Sequence, residues 1–396
     1  MISQRIKQLR LARGMTQDAL VAEMGGIVTK QAISKYENGK AVPSASVITR
    51  LARALGVKST ALWGFPACEV EFIAYRKSSG LGKREQASVE SVVRRALEER
   101  ISLHERVYGR HNGCDFPVQH FAIRRLVDAE QAAEEMRDHW NLGRDPIGNL
   151  VGLLEDRQVH VIEIDAPEKF DGISAFAKDG RGCTLGAAVA SRRGVPGGRQ
   201  RLNLAHELGH TVLTVPDAID EEKAAFRFAG AFLAPRDEFI EEVGKHRSHI
   251  DLEELLLLKR KFGLSIQALL RRMVDLEIIN ESYYRKWCID ISRMGWRREE
   301  PEQLAAETPQ WLHRTVLRGI AEGALTADEG KKMLGITVED GERLEAVQRR
   351  AFLKLPLEER RRIMAQQANE LADYYEKDKE WREGQGDDIY EYDVQA

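Results

Sequence analysis

The stretch Leu202–Leu213, "LNLAHELGHTVL", limits the fold of this chain more than any other. His206 and His210 are four residues apart, so on a helix their imidazoles project from one face, about one turn apart, close enough to share a metal ion. Glu207 sits beside them, where zinc peptidases of the His-Glu-x-x-His type keep a carboxylate that moves a proton without binding the metal. Leu204, Ala205, Leu208 and Gly209 are uncharged, as an interior helix requires, and Gly209 lets another segment approach closely. A buried helix with two satisfied histidines and no metal would need the same surroundings.

A catalytic zinc takes three protein ligands and keeps a fourth position open. Downstream, "TVPDAIDEEKAAFRFAGAFLAP" predicts a Pro-containing turn and then a second helix, capped by Asp217 or Asp220, that folds back antiparallel to the first. Glu221 and Glu222 fall in its first turn. Acids there also favour the helix dipole without any metal, so the residues alone leave the third ligand open. Upstream, "IGNLVGLLEDRQVHVIEI" reads as a helix and a strand, and "DGISAFA" and "CTLGAAVA" read as two more strands. "SRRGVPGGRQR" then reads as a polar loop. A peptide substrate is expected to add as a strand to an open sheet edge, placed at "CTLGAAVAS". His246 and His249 are the candidates for stabilising an oxyanion, with ordinary surface histidines as the alternative.

The chain has 396 residues, too many for one core by the usual domain-size argument, so two or three domains are expected. Its charged fraction of 31% and hydrophobic fraction of 43% suit a globular protein, and no apolar run approaches the roughly 18 residues of a membrane span. The N-terminus lacks the apolar core of a signal peptide, so a cytoplasmic location is expected, with no membrane partner. Cys68, Cys114, Cys183 and Cys288 are scattered without a C-x-x-C pair, which predicts reduced cysteines and no cysteine-based zinc site. Net charge is −3 overall, but residues 1–65 hold ten Lys or Arg against three acids. That basic unit on an acidic body predicts a polyanionic partner for the N-terminal part alone.

Residues 4–63 divide into short helices at clear signals. Gly14 ends the first, Thr16 caps "QDALVAEM", Thr29 caps "KQAISKYEN", and Pro43-Ser44 opens "ASVITRLARAL". The pattern resembles the XRE/Cro-type helix-turn-helix of repressors through Thr16-Gln17, Ala22, Gln31, Ile33-Ser34, Tyr36-Glu37, Gly39-Lys40 and Pro43. The resemblance implies an all-α, five-helix-type domain whose third helix enters the major groove of double-stranded operator DNA. Thr29, Lys30, Gln31, Ser34, Lys35 and Asn38 would then meet bases and phosphates, with Gln17 on the phosphates. One departure is "GGIV", which lengthens the turn before the reading helix by about two residues relative to the family pattern.

Together, "HELGH" and the later Glu222, Ala225, Phe228-Ala229, Phe232-Leu233 and Pro235 resemble the ImmA/IrrE family of metallopeptidases over residues 145–295. The resemblance implies an α+β zincin-like fold with a small sheet, Zn2+ held by His206, His210 and Glu222, and Glu207 as the catalytic base. Phe226 stands where the family usually has asparagine. Fusion to an XRE domain implies phage, stress-response or toxin–antitoxin regulation by cutting a partner repressor or antitoxin. An antitoxin-like repressor with a non-catalytic metal domain is the alternative.

The expected organisation is therefore multidomain and mainly α. Residues 1–65 form the helix-turn-helix, 66–144 a helical connection, and 145–296 the peptidase-like domain. Residues 297–340 follow as a linker and helical hairpin, and 341–396 as a charged helix with an acidic tail, a helical C-terminal extension. "LKRKFGLSIQALLRRM" reads as a helix pair packed on its neighbours, with a second DNA contact as the alternative. The tail resembles the C-terminal segments of small antitoxins and implies a toxin partner; a solvated helix and disordered tail is the alternative. Operator symmetry suggests a homodimer, although no heptad repeat supports one.

Overall fold

The computed structural model describes residues 2–57, 59, 62, 68–75, 82–109, 116–335, 347 and 349–366. Two compact units are present, Met1–Leu312 and His313–Ala396.

The first unit opens with α1 (Ile2–Ala12), α2 (Gln17–Glu23), α3 (Lys30–Glu37) and α4 (Ala45–Ala54). Thr16 and Thr29 cap α2 and α3, their hydroxyls accepting from the amides of Ala19 at 2.9 Å and Ala32 at 3.2 Å. The longer turn between them is made by Gly25 and Gly26, both left-handed at φ +76° and +69°, a conformation side chains resist. Ile6, Leu20, Ile33 and Leu51 close the small core. At its centre Arg10 grips Glu37 through two nitrogens, 2.5 and 3.0 Å, and Gln17 donates to the same carboxylate at 2.8 Å.

Strand β1 (Glu69–Tyr75) and the long helix α5 (Lys83–Tyr108) come next. Residues 66–144, expected to be a helical connection, thus also supply a strand to the sheet. "EVEFIAY" alternates apolar and charged side chains at its start, the period-2 pattern of a strand with one covered face. Helix α1 lies against α5, where Arg5 pairs with Glu98 at 2.5 Å.

Two-residue strand β2 (Phe121–Ala122), α6 (Asp128–His139) and α7 (Leu150–Asp156) precede β3 (Val159–Ile164), β4 (Gly172–Lys178) and β5 (Thr184–Arg192). The main sheet runs in the order β1-β4-β5-β3. β4 is antiparallel to both β1 and β5, and β3 is parallel to β5. "CTLGAAVAS" is therefore an interior strand, paired on both sides, and cannot take an added peptide strand as expected. The sheet edges are β1 and β3, and α5 reaches both: Arg94 donates to the Val70 carbonyl at 2.8 Å and Arg100 to that of Val161 at 2.7 Å. Burial leaves the Arg100 guanidinium less basic than usual, its pKa lowered to about 10.

The two sheet faces bury different things. Ile173, Ala175, Ala188 and Ala190 point to the side covered by α5. Phe176, Ala187 and Val189 point to the helix α8 (Gly197–Val212), after which β6 (Leu213–Thr214) pairs with β2. Then follow α9 (Glu221–Leu233), α10 (Arg236–Val243), α11 (Leu252–Phe262), α12 (Ile266–Asp275) and α13 (Glu281–Arg293). The α11–α12 pair packs inward as a helical hairpin, with Gly263 left-handed and Ser265 as cap. Its Lys259 and Arg272 are buried in ion pairs with Glu300 and Glu130. Cys68 and Cys288 are free, whereas Cys183 is disulfide-bonded, against the expectation that all four cysteines are reduced. Cys114 lies outside the described residues.

Residues 297–310, expected to be a linker, instead form a strap anchored by buried charge. Glu307 pairs with Arg201 and accepts the Val151 amide at 2.7 Å, while Gln200 donates to the Glu307 carbonyl at 2.8 Å. A linker reading rested on polarity, but a polar residue ordered by a buried partner is as fixed as an apolar one. Within the second unit, the rest of α14 (Trp311–Ala321) and α15 (Ala327–Leu334) form a helical hairpin. Thr326 and Glu329 cap α15 reciprocally. Residues 357–366 are helical after Pro356; the acidic tail, with the expected toxin contact, lies outside the described residues. Among the described residues no helix is long and apolar enough to cross a membrane.

Candidate metal centre and DNA-reading helix

Helix α8 is longer than the sequence suggests. "GGRQR" belongs to its first turn instead of to the preceding loop, because the strap crosses there. A Cβ at Gly197 would stand 2.8 Å from the Ala305 carbonyl carbon, and the Gly197 amide donates to the Leu304 carbonyl at 2.9 Å. Three turns on, the helix meets α9 closely. A Cβ on Gly209 would lie 3.2 Å from the Ala225 backbone, so the small residue sets the separation of the two helices. Asp220 caps α9, accepting the Lys223 amide at 3.2 Å.

This packing brings His206, His210 and Glu222 together, with one ligand atom from each lying within 4.8 Å of the others. The two Nε2 atoms are 3.1 Å apart, and each is 3.5 Å from a Glu222 carboxylate oxygen. The imidazoles are almost fully buried, while the Glu222 side chain keeps 46% of its exposure, so the cluster is open on one side. Hydrogen bonding to His206 and His210 holds the Glu222 carboxyl well below the usual carboxylate range. For His210, burial disfavours the charged ring, but hydrogen bonding to Glu222 and the nearby charges of Glu207 and Glu222 outweigh it and raise its pKa.

Glu221, the residue beside the expected ligand, has its own place. Its Oε1 lies 3.1 Å from His210 Nδ1. An Nδ1–H donated there leaves Nε2 with its lone pair directed at the cluster, the arrangement that orients a metal-ligating histidine. The double acid at 221–222 was the only signal in the sequence, and it did not assign separate roles. Phe226 packs its ring 4.1 Å from that of His206.

Glu207 is buried on the sheet side of α8. A Cβ on Gly172, the first residue of β4, would stand 2.8 Å from Glu207 Cδ and Cγ, so "DGIS" needs glycine there for the carboxylate to lie under the strand. His246 and His249 are not brought to the cluster. Both are exposed; His249 pairs with Asp251 at 3.0 Å and His246 lines a different cavity.

In the N-terminal domain, Thr29, Lys30, Gln31, Lys35 and Asn38 are exposed along α3 and Ser34 is half-buried. Lys30 pairs with Asp18 at 2.7 Å, and Asn38 donates to the Ser34 carbonyl at 2.8 Å. The Gln17 side-chain amide donates to the buried Glu37 carboxylate at 2.8 Å.

Residues 6–62 match the helix-turn-helix family model, and residues 189–274 match that of the IrrE N-terminal-like domain. An SPbeta prophage-derived uncharacterized HTH-type transcriptional regulator of Bacillus subtilis (strain 168) is 36% identical over 59 residues, covering 15% of this chain and 53% of that protein. The match thus spans about half the length of that curated relative. The chain joins an XRE-type helix-turn-helix domain to an IrrE/ImmA-like, peptidase-family domain. The span matched in the IrrE-like domain runs from the end of β5 to the end of α12 and contains His206, Glu207, His210 and Glu222.

Proposed function

We propose that this protein is a DNA-binding transcriptional regulator whose IrrE-like domain is a zinc-dependent endopeptidase acting on a partner repressor or antitoxin. The convergence of His206, His210 and Glu222 carries this reading, because two imidazole nitrogens and one carboxylate oxygen suit zinc and leave the exposed side of Glu222 open. A bound zinc ion would supply Lewis acidity, bringing water's loss of a proton toward neutral pH and polarising a scissile carbonyl. The protein's own part is positional and acid–base. Glu221 holds the His210 ring by Nδ1, and Gly209 keeps α9 close enough for Glu222 to reach both rings. Glu207, set beneath β4, takes the proton from the attacking water and returns it to the leaving amine, so one carboxylate serves as base and then acid. In the N-terminal domain, exposed Gln31 and Lys35 suit a reading helix, and the basic charge of residues 1–65 suits a polyanion.

The test uses the full-length protein and the product of the adjacent gene. One equivalent of zinc is expected, lost in His206→Ala and Glu222→Ala but retained in Glu207→Gln. Cleavage in Glu207→Gln should fall by about 10²–10⁴-fold. Unchanged processing and unchanged repression in Glu207→Gln would exclude peptidase action.

A further inference from the structure

A cleft of 1220 Å3 lies beside the His206 side of the cluster, although none of His206, Glu207, His210 and Glu222 lines it. Phe226, whose ring packs on His206, forms part of its wall, and Leu202 and Asn203 extend it back along α8 by one turn. The far wall is the start of the strap, with Trp296, Arg297 and Arg298. This volume exceeds the roughly 300–1,000 Å3 of small-molecule sites, so an extended ligand fits it better than a compact one.

The charge of the cleft runs against that of the whole chain. Nine arginine or lysine residues line it against four carboxylates, in a protein of net charge −3. Six of the nine are held in ion pairs, for example Lys259 by Glu300 and Arg272 by Glu130. Arg192, Arg297 and Arg298 engage no carboxylate among the described residues, and the last two are exposed. A second observation is independent of charge. Asn203 is 7% exposed, and its Nδ2 has no hydrogen-bond partner among the described residues. A buried amide donor without an acceptor is rare in a folded protein, and because Asn203 lies in the cleft wall, a turn of its side chain toward the cleft would offer that donor to a peptide carbonyl.

We infer that this cleft binds an acidic stretch of polypeptide, placing the bond next to it at the His206–Glu222 cluster. The inference rests on the endopeptidase reading and specifies its substrate: a protein carrying several Asp or Glu residues on one side of the cut. Arg192, Arg297 and Arg298 meet the carboxylates, Asn203 meets the backbone, and Phe226 and Trp296 offer apolar surface to intervening side chains. Duplex DNA is the other polyanion at hand, but a cleft whose wall includes Phe226, packed on His206, and Asn203, with its unmatched amide donor, matches a polypeptide better.

The test measures binding without cleavage. Zinc-loaded, full-length Glu207→Gln is titrated with short fluorescein-labelled peptides, either rich in Asp and Glu or with those residues changed to Asn and Gln, and anisotropy is recorded. The acidic peptide should bind about tenfold tighter, the scale of two or three screened ion pairs, and the preference should fade with added salt. Arg297→Glu with Arg298→Glu should abolish the preference while zinc stoichiometry and thermal unfolding stay unchanged. Equal binding of both peptides, or a preference that survives the double reversal, overturns the inference. So does a result in which the double reversal weakens binding of a duplex and leaves the acidic peptide unaffected. If the acidic peptide binds as expected but the unsubstituted protein leaves it and the adjacent-gene product uncut, the endopeptidase reading fails and the cleft remains an acidic-peptide site.

Discussion

Helices α3 and α8 are the two elements to which function is assigned, and they treat solvent in opposite ways. Of its eight residues α3 buries two, Ile33 and Glu37, whereas α8 buries fourteen of sixteen, including both histidines and Glu207. A helix that reads DNA must present its polar side chains outward, so they contribute little to the folded state. The other helix must hold imidazoles and a carboxylate away from water, so each function there is also a packing problem. Substitutions in the IrrE-like domain should therefore mix stability with activity, and those on α3 should separate them.

The largest effect is expected at the buried Glu130–Arg272 ion pair. Arg272 is buried, donates to Glu130 and to the Ala234 carbonyl at 2.9 Å, and so ties α6, α9 and α12 together. Arg272→Met leaves Glu130 buried with Arg227 as its remaining partner, and urea unfolding should show a loss of about 3–5 kcal/mol. A pH series sharpens the test. Burial raises the Glu130 pKa, but the hydrogen bond and charge of Arg272 and then Arg227 outweigh it, and the net direction is downward. A carboxyl whose folded pKa is depressed stabilises the protein above its unfolded value, about 4.3, and that contribution is lost as pH falls through the folded pKa. The acid limb of the stability curve should flatten in Glu130→Gln. A full-depth acid limb in that variant would remove Glu130 from the account.

Next comes the contact that seats Glu207. Gly172→Ala inserts a Cβ against the Glu207 side chain, which is buried and cannot swing away freely. Overpacking of this kind costs about 1–3 kcal/mol. If Glu207 moves the proton, the displaced carboxylate should lower cleavage by about 10²-fold while zinc remains at one equivalent. Full activity with the methyl in place would separate Glu207 from the chemistry.

The same contrast explains what could be read in advance. Thr16, Thr29 and the glycine stops are local signals, so the helices of the N-terminal domain were legible before any packing was known. His206, Glu207 and His210 are local too, and α8 and α9 meet where the small Gly209 and Ala225 allow it. The features that were missed depend on distant partners. Arg201 is polar text until Glu307, on the strap, is placed beside it, and nothing near Gln17 announces Glu37. "CTLGAAVAS" looked like a free edge because alternation reports a strand and not its neighbours. β1 carried a readable alternation at "EVEF" but lies far from the rest of its sheet in the chain.

On α3 the expected effects are smaller and leave the fold alone. Gln31 is exposed and lies outside the core of the N-terminal domain, so Gln31→Ala should leave thermal unfolding unchanged. A lost bidentate base contact should relax preference at one operator position by about 1–3 kcal/mol, seen in competition between operator variants. Equal loss on operator and random DNA would move Gln31 from base reading to backbone contact.

Lys35→Ala should give the smallest change at a single salt concentration and the clearest change across several. An exposed lysine on a phosphate releases condensed counterions, so removing it should lower the slope of log affinity against log salt by about one, equally for all sequences. The contrast with α8 predicts that this variant unfolds like the unsubstituted protein and binds zinc identically. A salt slope that stays fixed would place Lys35 away from the DNA and turn the basic face of α3 back into ordinary solvated surface.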